Sequence, residues 1–317
     1  MKRITLISAL LLCSGLVLNA QKKITFMPQW TAQAQFAGFY VALEKGFYAD
    51  EGLDVTFRHI ESNSSLNVLN HLANGDVDIA EEQLLNGIEA RAEGQKIVNV
   101  MQLVQESALC CVTNFPVSSL DDLQGKSVGK WLTSYRNIHE LVKTMRDLDV
   151  NWVNAYNPIN LFLYNAVDAT LCASYNELIS ISLTMGGIPD DHILRFSQQG
   201  LDCPEDGLYV TEEYYRKNKD SVDGFVRASK KGWDYAREHQ DEALEINRKF
   251  IEENHIVTNS MKQRMMLEEM MRLSVNYMSD EADYAPVERS LFDAINKILF
   301  SQGVIKRIVE YDELIAG

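Results

Sequence analysis

The stretch between residues 23 and 57 constrains the fold most, because one short unit combines strand, helix and strand. Residues 23–27 supply the first predicted strand, and residues 36–44 place apolar side chains at helical spacing. Gly46 and Gly52 fit the left-handed positions at which helices stop, and the alternation of Leu53–Phe57 is that of a strand. The pattern predicts a β-α-β unit of an open α/β sheet.

Trp30 follows the first predicted strand, at the edge where open α/β sheets bind their ligands. An aromatic heterocycle needs flat faces to stack on and a few polar groups for its edge. The candidate faces are Trp30, Phe39, Tyr40 and Tyr135, and the candidate edge groups are Glu82, Gln83, Asn157 and Glu177. Ser64, Ser65, Thr133 and Ser134 lie where helix N-termini could bind a carboxylate, a phosphate or a hydroxyl.

Several of these residues also have a purely structural interpretation. Phe39 and Tyr40 could be core residues of the first helix, the serines could be plain N-caps, and Glu82 could be a first-turn acid favoured by the helix dipole. Lys130-Trp131 is interpreted as covering the edge of a lobe. Trp30 has the clearest functional interpretation, because it stands at the end of a strand between polar neighbours.

Residues 1–20 have the features of an export signal. Lys2 and Arg3 precede a mostly apolar run that is too short to span a bilayer comfortably. Lipid attachment at Cys13 is disfavoured, because Leu12 is bulky where such sites have a small residue. We therefore expect a periplasmic protein whose mature chain begins after residue 20.

The chain is acidic, with 30 Lys and Arg against 45 Asp and Glu and a formal net charge of −15. Removal of Lys2 and Arg3 would make the charge about −17. An acidic surface repels nucleic acid and anionic membranes, so neither is expected as a partner. With 46% hydrophobic residues, the chain can bury a large core, which we expect to be divided between two lobes.

The cysteines and histidines support neither a metal site nor a cofactor. The histidines are scattered, and the cysteine spacings match no zinc pattern. We expect Cys110, Cys111, Cys172 and Cys203 to be buried free thiols, with a Cys172–Cys203 disulfide as the alternative. A bridge between Cys110 and Cys111 is disfavoured, because adjacent side chains of a strand point to opposite faces.

Predicted strands and helices alternate up to residue 211, after which the chain is almost wholly helical. Two predicted crossings, near residues 110 and 208, divide this order into two lobes. We expect an α/β fold in which each lobe is a mixed sheet flanked by helices, with a two-strand hinge between them. The first lobe would comprise residues 21–110 and 209–317, and the inserted second lobe residues 111–208.

Several phrases occur in the order typical of one class of protein, among them AGFYVALEKGFYADEGLDV, LDDLQGKSVG, VDATLCASYNE and DGLYVTEEYY. On these phrases the chain resembles the extracytoplasmic solute-binding proteins of ABC importers, in the branch related to thiamine-pyrimidine proteins. The resemblance implies a class II periplasmic-binding-protein fold. It also implies a small aromatic heterocycle as ligand, most of all a thiamine pyrimidine precursor, with an ABC permease and ATPase as partners. We expect a monomer without catalytic residues.

The resemblance also implies roles for particular residues. Trp30 occupies the place of a tryptophan that stacks on an aminopyrimidine, and Tyr175-Asn176-Glu177 occupies the place of an aromatic-glutamate segment. A carboxylate can accept the exocyclic N–H of an aminopyrimidine and pair with its protonated ring nitrogen. Glu177 is the first candidate for that bond and Glu82 the alternative.

Other functions remain open at this point. A pyrimidine synthase-like enzyme would need a lysine for pyridoxal phosphate and a cysteine-rich iron motif. The chain has only Cys110-Cys111, and it has Gln35-Phe36 where the family often has Asn-His. A binding protein for riboflavin or a sulfonate, or a sensor that reports to a membrane kinase, would share the scaffold.

Overall fold

The computed structural model describes residues 21–60, 67–132, 142, 146–274 and 286–316. Within these residues the strands form two five-stranded sheets. The first sheet has the order β2-β1-β3-β10-β4 and consists of β1 (Lys22–Met27), β2 (Leu53–Phe57), β3 (Ile79–Glu82), β4 (Ile97–Gln102) and β10 (Gly207–Thr211). The second has the order β7-β6-β8-β5-β9 and consists of β5 (Leu109–Thr113), β6 (Ser127–Trp131), β7 (Asn151–Ala155), β8 (Ala169–Ala173) and β9 (Ile193–Arg195).

Both sheets are mixed, and they follow the same pattern. Strand β1 is parallel to β2 and β3, while β10 is antiparallel to β3 and β4. In the second sheet β6 is parallel to β7 and β8, while β5 is antiparallel to β8 and β9. The predicted α/β class with two mixed sheets is confirmed.

The chain passes from the first sheet to the second between Gln102 and Leu109, and returns between Arg195 and Gly207. The two crossing segments lie beside each other. Leu103 N donates to Asp206 O at 3.1 Å, and Ala108 N donates to a Glu205 carboxylate oxygen at 3.1 Å. After the first crossing, residues 109–110 pair with β8 in the second sheet. After the return, residues 207–208 pair with β3 in the first sheet. The division of the chain into lobes stays a prediction.

The helices cover the sheets. Their bounds are Ala37–Glu44, Phe47–Asp50, Val68–Asn74, Leu84–Ala92, Pro158–Leu163, Glu177–Met185, Glu212–Glu238, Gln240–Glu253, Ser260–Leu273, Arg289–Ser301 and Tyr311–Leu314. The helix Glu212–Glu238 is kinked at Asn218, whose backbone has φ −133° and ψ 29° and is not helical. The amphipathic pattern of residues 138–148 predicts a further helix, and most of these residues lie outside the described ranges.

The first helix ends as its sequence predicts. Gly46 has φ +77°, and Gly52 has φ +72° before β2 begins, conformations that cost glycine little. The same helix packs very closely on Glu212–Glu238 at Gly38, which has no side chain. A Cβ at this position would lie only 2.2 Å from the ring of Trp233. This contact fixes the first helix, and with it the loop that follows β1, against the helix Glu212–Glu238.

All four cysteines in the described residues are free thiols; Cys110, Cys111 and Cys172 are buried, and Cys203 is half-buried. The free state agrees with the first expectation. The sulfur nearest to Cys172 is that of Cys110, at 3.3 Å, because the two residues lie opposite each other on β5 and β8. If Cys172 forms a disulfide, its geometry therefore favours Cys110 as the partner over Cys203.

Candidate ligand-binding cleft

A small cleft lies between groups contributed by the two sheets. From the side of the first sheet it is lined by Gln29, Trp30, Gln33, Gln35 and Gln83, and from the side of the second by Trp131, Ala173, Tyr175, Asn176 and Glu177. Its volume is about 50 Å³, whereas ligand pockets usually have about 300–1,000 Å³. The cleft has to widen before a heterocycle can enter.

Two tryptophans from different sheets line this cleft. Trp30 follows β1 and is 39% exposed, and Trp131 is the last residue of β6 and is half-buried. Indole rings offer large apolar faces on which a flat ligand can stack. Trp131 was not among the residues predicted to bind ligand. Its position at the carboxyl end of a strand, like that of Trp30, was the available signal.

Three glutamines form the polar wall on the side of the first sheet. Gln29, Gln33 and Gln35 all line the cleft. Gln33 Nε2 donates to Gln35 Oε1 at 2.6 Å, and Gln35 Nε2 donates to the carboxylate of Asp206 at 2.9 and 3.1 Å. The side-chain amide of Gln29 also donates to Asp206. The sequence placed Gln29 at the ligand-binding edge of the sheet, next to Trp30, but it did not indicate Gln33 or Gln35 as ligand groups.

Buried carboxyl groups lie behind this wall. Asp206 and Glu81 are both 0% exposed. Burial raises the pKa of Asp206 to about 7, against the effect of the hydrogen bonds from Gln35 and Gln29. Burial, followed by the negative charge of Asp206, raises the pKa of Glu81 well above its usual range. Glu81 Oε1 has no hydrogen-bond partner among the described residues, and Oε2 accepts only a long bond of 3.4 Å from Gln29 N. Asp206 is therefore the better site for the negative charge and Glu81 for the proton.

Tyr175 connects the two sides of the cleft. It follows β8 and is buried, and its hydroxyl lies 3.3 Å from Gln35 Nε2 on the opposite side. The same hydroxyl donates to Glu205 at 3.4 Å. Burial, followed by the negative charges of neighbouring carboxylates, raises the pKa of Tyr175 well above the usual range. A neutral phenol is the form that can make both bonds.

Glu177 lines the cleft at the start of the helix that follows β8. One carboxylate oxygen accepts from Ala173 N at 2.8 Å, and the other accepts from Asn176 Nδ2 at 3.3 Å. Burial raises the pKa of Glu177, and the hydrogen bond from Ala173 opposes that effect. Because each oxygen has a second lone pair, the carboxylate can still accept from a ligand.

The structure brings together four of the predicted residues at this cleft: Trp30, Gln83, Tyr175 and Glu177. Phe39 and Tyr40 are fully buried in the core, where Phe39 packs on Phe26 at 5.0 Å and Tyr40 stacks on Phe250 at 4.0 Å. Neither lines the cleft, so neither is proposed to contact the ligand.

The other predicted residues lie elsewhere. Glu82 accepts from Gln83 N at 2.9 Å and Asn86 Nδ2 at 3.0 Å, as an acid at the start of a helix does. Asn157 is exposed and caps the helix Pro158–Leu163 by accepting from Asn160 N. Ser64, Ser65, Ser134 and Tyr135 lie outside the described residues.

The charges of the cleft limit its chemistry. Among the described residues that line it, none is a lysine, arginine or histidine, and the charged one is Glu177. In the described parts of the chain, no three His, Cys, Asp or Glu side chains are grouped so that they could hold a metal ion. No helix in those parts is long and apolar enough to cross a membrane.

Known proteins resemble the chain at two levels. It is 24% identical over 306 residues to the riboflavin-binding protein RibY of Chloroflexus aurantiacus, covering 93% of this chain and 86% of that protein. It is 24% identical over 237 residues to 4-amino-5-hydroxymethyl-2-methylpyrimidine phosphate synthase of Candida albicans, covering 70% and 69%. The solved structure of the periplasmic aliphatic sulphonate binding protein SsuA of Escherichia coli has a TM-score of 0.66 at 13% identity, over 91% of this chain and 95% of that chain.

The structural likeness establishes the fold, which is that of the periplasmic binding proteins, as the sequence predicted. The family model described as NMT1/THI5 like matches residues 33–243, a region that contains every described residue of the cleft except Gln29 and Trp30. That match covers well over half of the sequence, and the chain belongs to the NMT1/THI5-like family.

Proposed function

We propose that this chain is the extracytoplasmic substrate-binding component of an ABC importer, and that it captures a small aromatic heterocycle by closing two lobes. The observation that carries the proposal is the pair of indoles, Trp30 and Trp131, which come from different sheets and line one cleft. A flat ring that enters between the sheets would gain stacking contacts from both sides. Closure would then be driven by the ligand itself.

The ligand we propose first is a thiamine pyrimidine precursor. Its exocyclic amine and protonated ring nitrogen are donors, and Glu177 is an acceptor that lines the cleft. Similarity to a synthase whose product is a hydroxymethylpyrimidine phosphate supports this class of ligand. Riboflavin is the second candidate, supported by similarity to RibY along 93% of the chain.

Two alternatives have less support from the residues of the cleft. A sulfonate would need a cation or several N–H donors, and the described lining residues include no cationic side chain. A synthase that uses pyridoxal phosphate would need a lysine in reach of its substrate, and the described lining contains none. We therefore propose a binding role rather than a catalytic one.

The proposed setting is the periplasm, with a membrane permease and an ATPase as partners. The predicted export signal at residues 1–20 and the fold shared with SsuA support this setting. The protein would deliver its ligand to the permease and keep no covalent product.

Titration calorimetry on the mature chain tests the proposal with hydroxymethylpyrimidine, riboflavin and an alkanesulfonate as separate ligands. We expect the pyrimidine to bind, and Glu177→Gln to weaken it about tenfold to a hundredfold, because a charge-assisted hydrogen bond is lost. Riboflavin affinity should change little, since its ring has no basic amine to pair with Glu177. Glu82→Gln is the matched control, because Glu82 does not line the cleft.

Two results would contradict this assignment. Binding of the sulfonate without either heterocycle would overturn the ligand class. A loss of pyrimidine affinity in Glu82→Gln, with Glu177→Gln unaffected, would transfer the role of Glu177 to Glu82.

A further inference from the structure

Asp206 is placed where it can control the cleft without lining it. It lies at the end of the returning crossing segment, is 0% exposed and has φ +56°. Its carboxylate accepts hydrogen bonds from the side-chain amides of Gln29 and Gln35. Both glutamines line the cleft, whereas Asp206 lies behind them.

A carboxylate fixes the orientation of an amide that contacts it. An ionised carboxylate only accepts hydrogen bonds, so each glutamine has to turn its NH2 group toward Asp206. The amide oxygen of Gln29 then faces away from Asp206, and that of Gln35 accepts from Gln33 Nε2 at 2.6 Å. Gln33 in turn directs its NH2 group toward Gln35 and donates one N–H to it, so its oxygen is turned away from Gln35 as the outer end of the chain of amides.

The free ends of this chain are therefore acceptors. Gln29 and Gln33 both line the cleft, and neither side-chain oxygen receives a hydrogen bond from the described residues. Glu177, on the opposite side, is also an acceptor. Without Asp206, each amide could rotate by half a turn and present its NH2 group instead.

We propose that Asp206 is a positioning residue that makes the cleft accept hydrogen bonds and thereby selects ligands whose ring edge donates them. The ligand class is a flat, neutral or cationic heterocycle with an exocyclic amine or a ring N–H. Oxyanions and rings whose edge only accepts are rejected, because they would leave the glutamine oxygens unpaired. The inference rests on the proposed function, since it concerns the same cleft.

The test compares two ligands that differ at one group: 4-amino-5-hydroxymethyl-2-methylpyrimidine and its 4-methoxy analogue, in which the amine is replaced by an acceptor. Affinities are measured by calorimetry at about pH 8, so that Asp206 is ionised. Wild type should prefer the amino ligand. In Asp206→Asn the side chain can also donate, so the glutamines are no longer held in one orientation. The ratio of the affinity for the amino ligand to that for the methoxy ligand should then fall by about tenfold or more.

Asn is the appropriate replacement, because asparagine tolerates positive φ at least as well as aspartate. Asp202→Asn is the matched control. Asp202 lies in the same crossing segment and accepts from Ser107 N at 2.7 Å, without touching the glutamines. The control should keep the wild-type ratio. Gln33→Met removes the side-chain oxygen of Gln33 directly, and it replaces Asp206→Asn in the test if that variant does not fold. It should lower the same ratio of affinities.

The outcomes separate this inference from the proposed function. A wild type without preference for the amino ligand, or an equal loss for both ligands in Asp206→Asn, would overturn the inference and leave a heterocycle-binding protein. If wild type binds riboflavin instead, riboflavin and 3-methylriboflavin, whose ring N–H is blocked, form the equivalent pair. Failure to bind any of the four compounds would overturn the proposed function itself.

Discussion

At the scale of single residues, the two tryptophans of the cleft differ in how far the sequence reveals them. Trp30 could be predicted, because it follows the first strand and has polar neighbours. Trp131 was interpreted as edge cover, because its place in the cleft depends on the position of β6 in the second sheet, between β7 and β8. The sequence does not state which strands pair, and the contact of Gln35 with Asp206, 171 residues away, could not be predicted for the same reason.

We expect Trp131→Ala and Trp30→Ala each to weaken ligand binding by about 1–3 kcal/mol, because each removes one stacking face. Trp152→Ala serves as the control, since Trp152 on β7 is half-buried and does not line the cleft. Calorimetry with the heterocycle that binds wild type measures all three variants. Unchanged affinity in Trp131→Ala would mean that this indole only covers the sheet edge.

Glu81 should make the protein less stable as pH rises. Its pKa is raised above the usual 4.5 by burial and by Asp206. Above about pH 4.5 the unfolded chain releases a proton that the folded chain retains, so the free energy of unfolding falls with pH until the raised pKa is passed. Glu81→Gln has no such proton. We therefore expect its stability relative to wild type to increase from about pH 4 to about pH 8.

Urea unfolding across this range measures the effect, with Glu253→Gln as an exposed control. A difference between Glu81→Gln and wild type that does not vary with pH would contradict a buried, protonated Glu81.

At the scale of elements, segments with a periodic pattern of their own could be predicted, and segments defined only by their pairing could not. The strand Leu53–Phe57 has the predicted bounds, whereas β9 has only three residues and is a strand because it pairs with β5. The helix Pro158–Leu163 was missed although Asn157 and Pro158 form a start signal, an N-cap followed by proline. Asn157 had been interpreted as a ligand group instead, since both interpretations use the same polar side chain.

The pairing of β5 with β8 predicts a disulfide. Residues opposite each other on antiparallel strands have Cα atoms about 4.5–5.5 Å apart, and disulfides span about 4.4–6.8 Å. Cys110 and Cys172 are opposite, with their sulfur atoms 3.3 Å apart. Refolding with oxidised glutathione should join them, as the two thiols lose their protons and two electrons to the glutathione disulfide.

Peptide mapping without reduction identifies the bond. Cys172→Ser should abolish it, and Cys203→Ser should leave it in place. A predominant bridge between Cys172 and Cys203 would contradict the register of β5 and β8.

At the scale of the whole molecule, the sequence order predicts two crossings, and the chain does pass twice between the two sheets. What it could not supply is how the two sides meet. That depends on a few side chains far apart in sequence, such as the Tyr175 hydroxyl 3.3 Å from Gln35 Nε2. Pairs of this kind leave no periodic signal, so the contacts across the cleft had to come from the structure.

Closure of the cleft on a ligand should be visible in solution. The cleft has a volume of about 50 Å³, too little for a heterocycle when ligand pockets have about 300–1,000 Å³. The contact between Tyr175 and Gln35 is one hydrogen bond, of the order of 1 kcal/mol, and thus weak enough to open. We therefore expect the ligand-free chain to be a monomer that samples an open form, and small-angle scattering to give a smaller radius of gyration with saturating ligand. Tyr175→Phe, which loses the bond, should enlarge the ligand-free radius further. An unchanged radius with a ligand shown by calorimetry to be bound would contradict the closing mechanism.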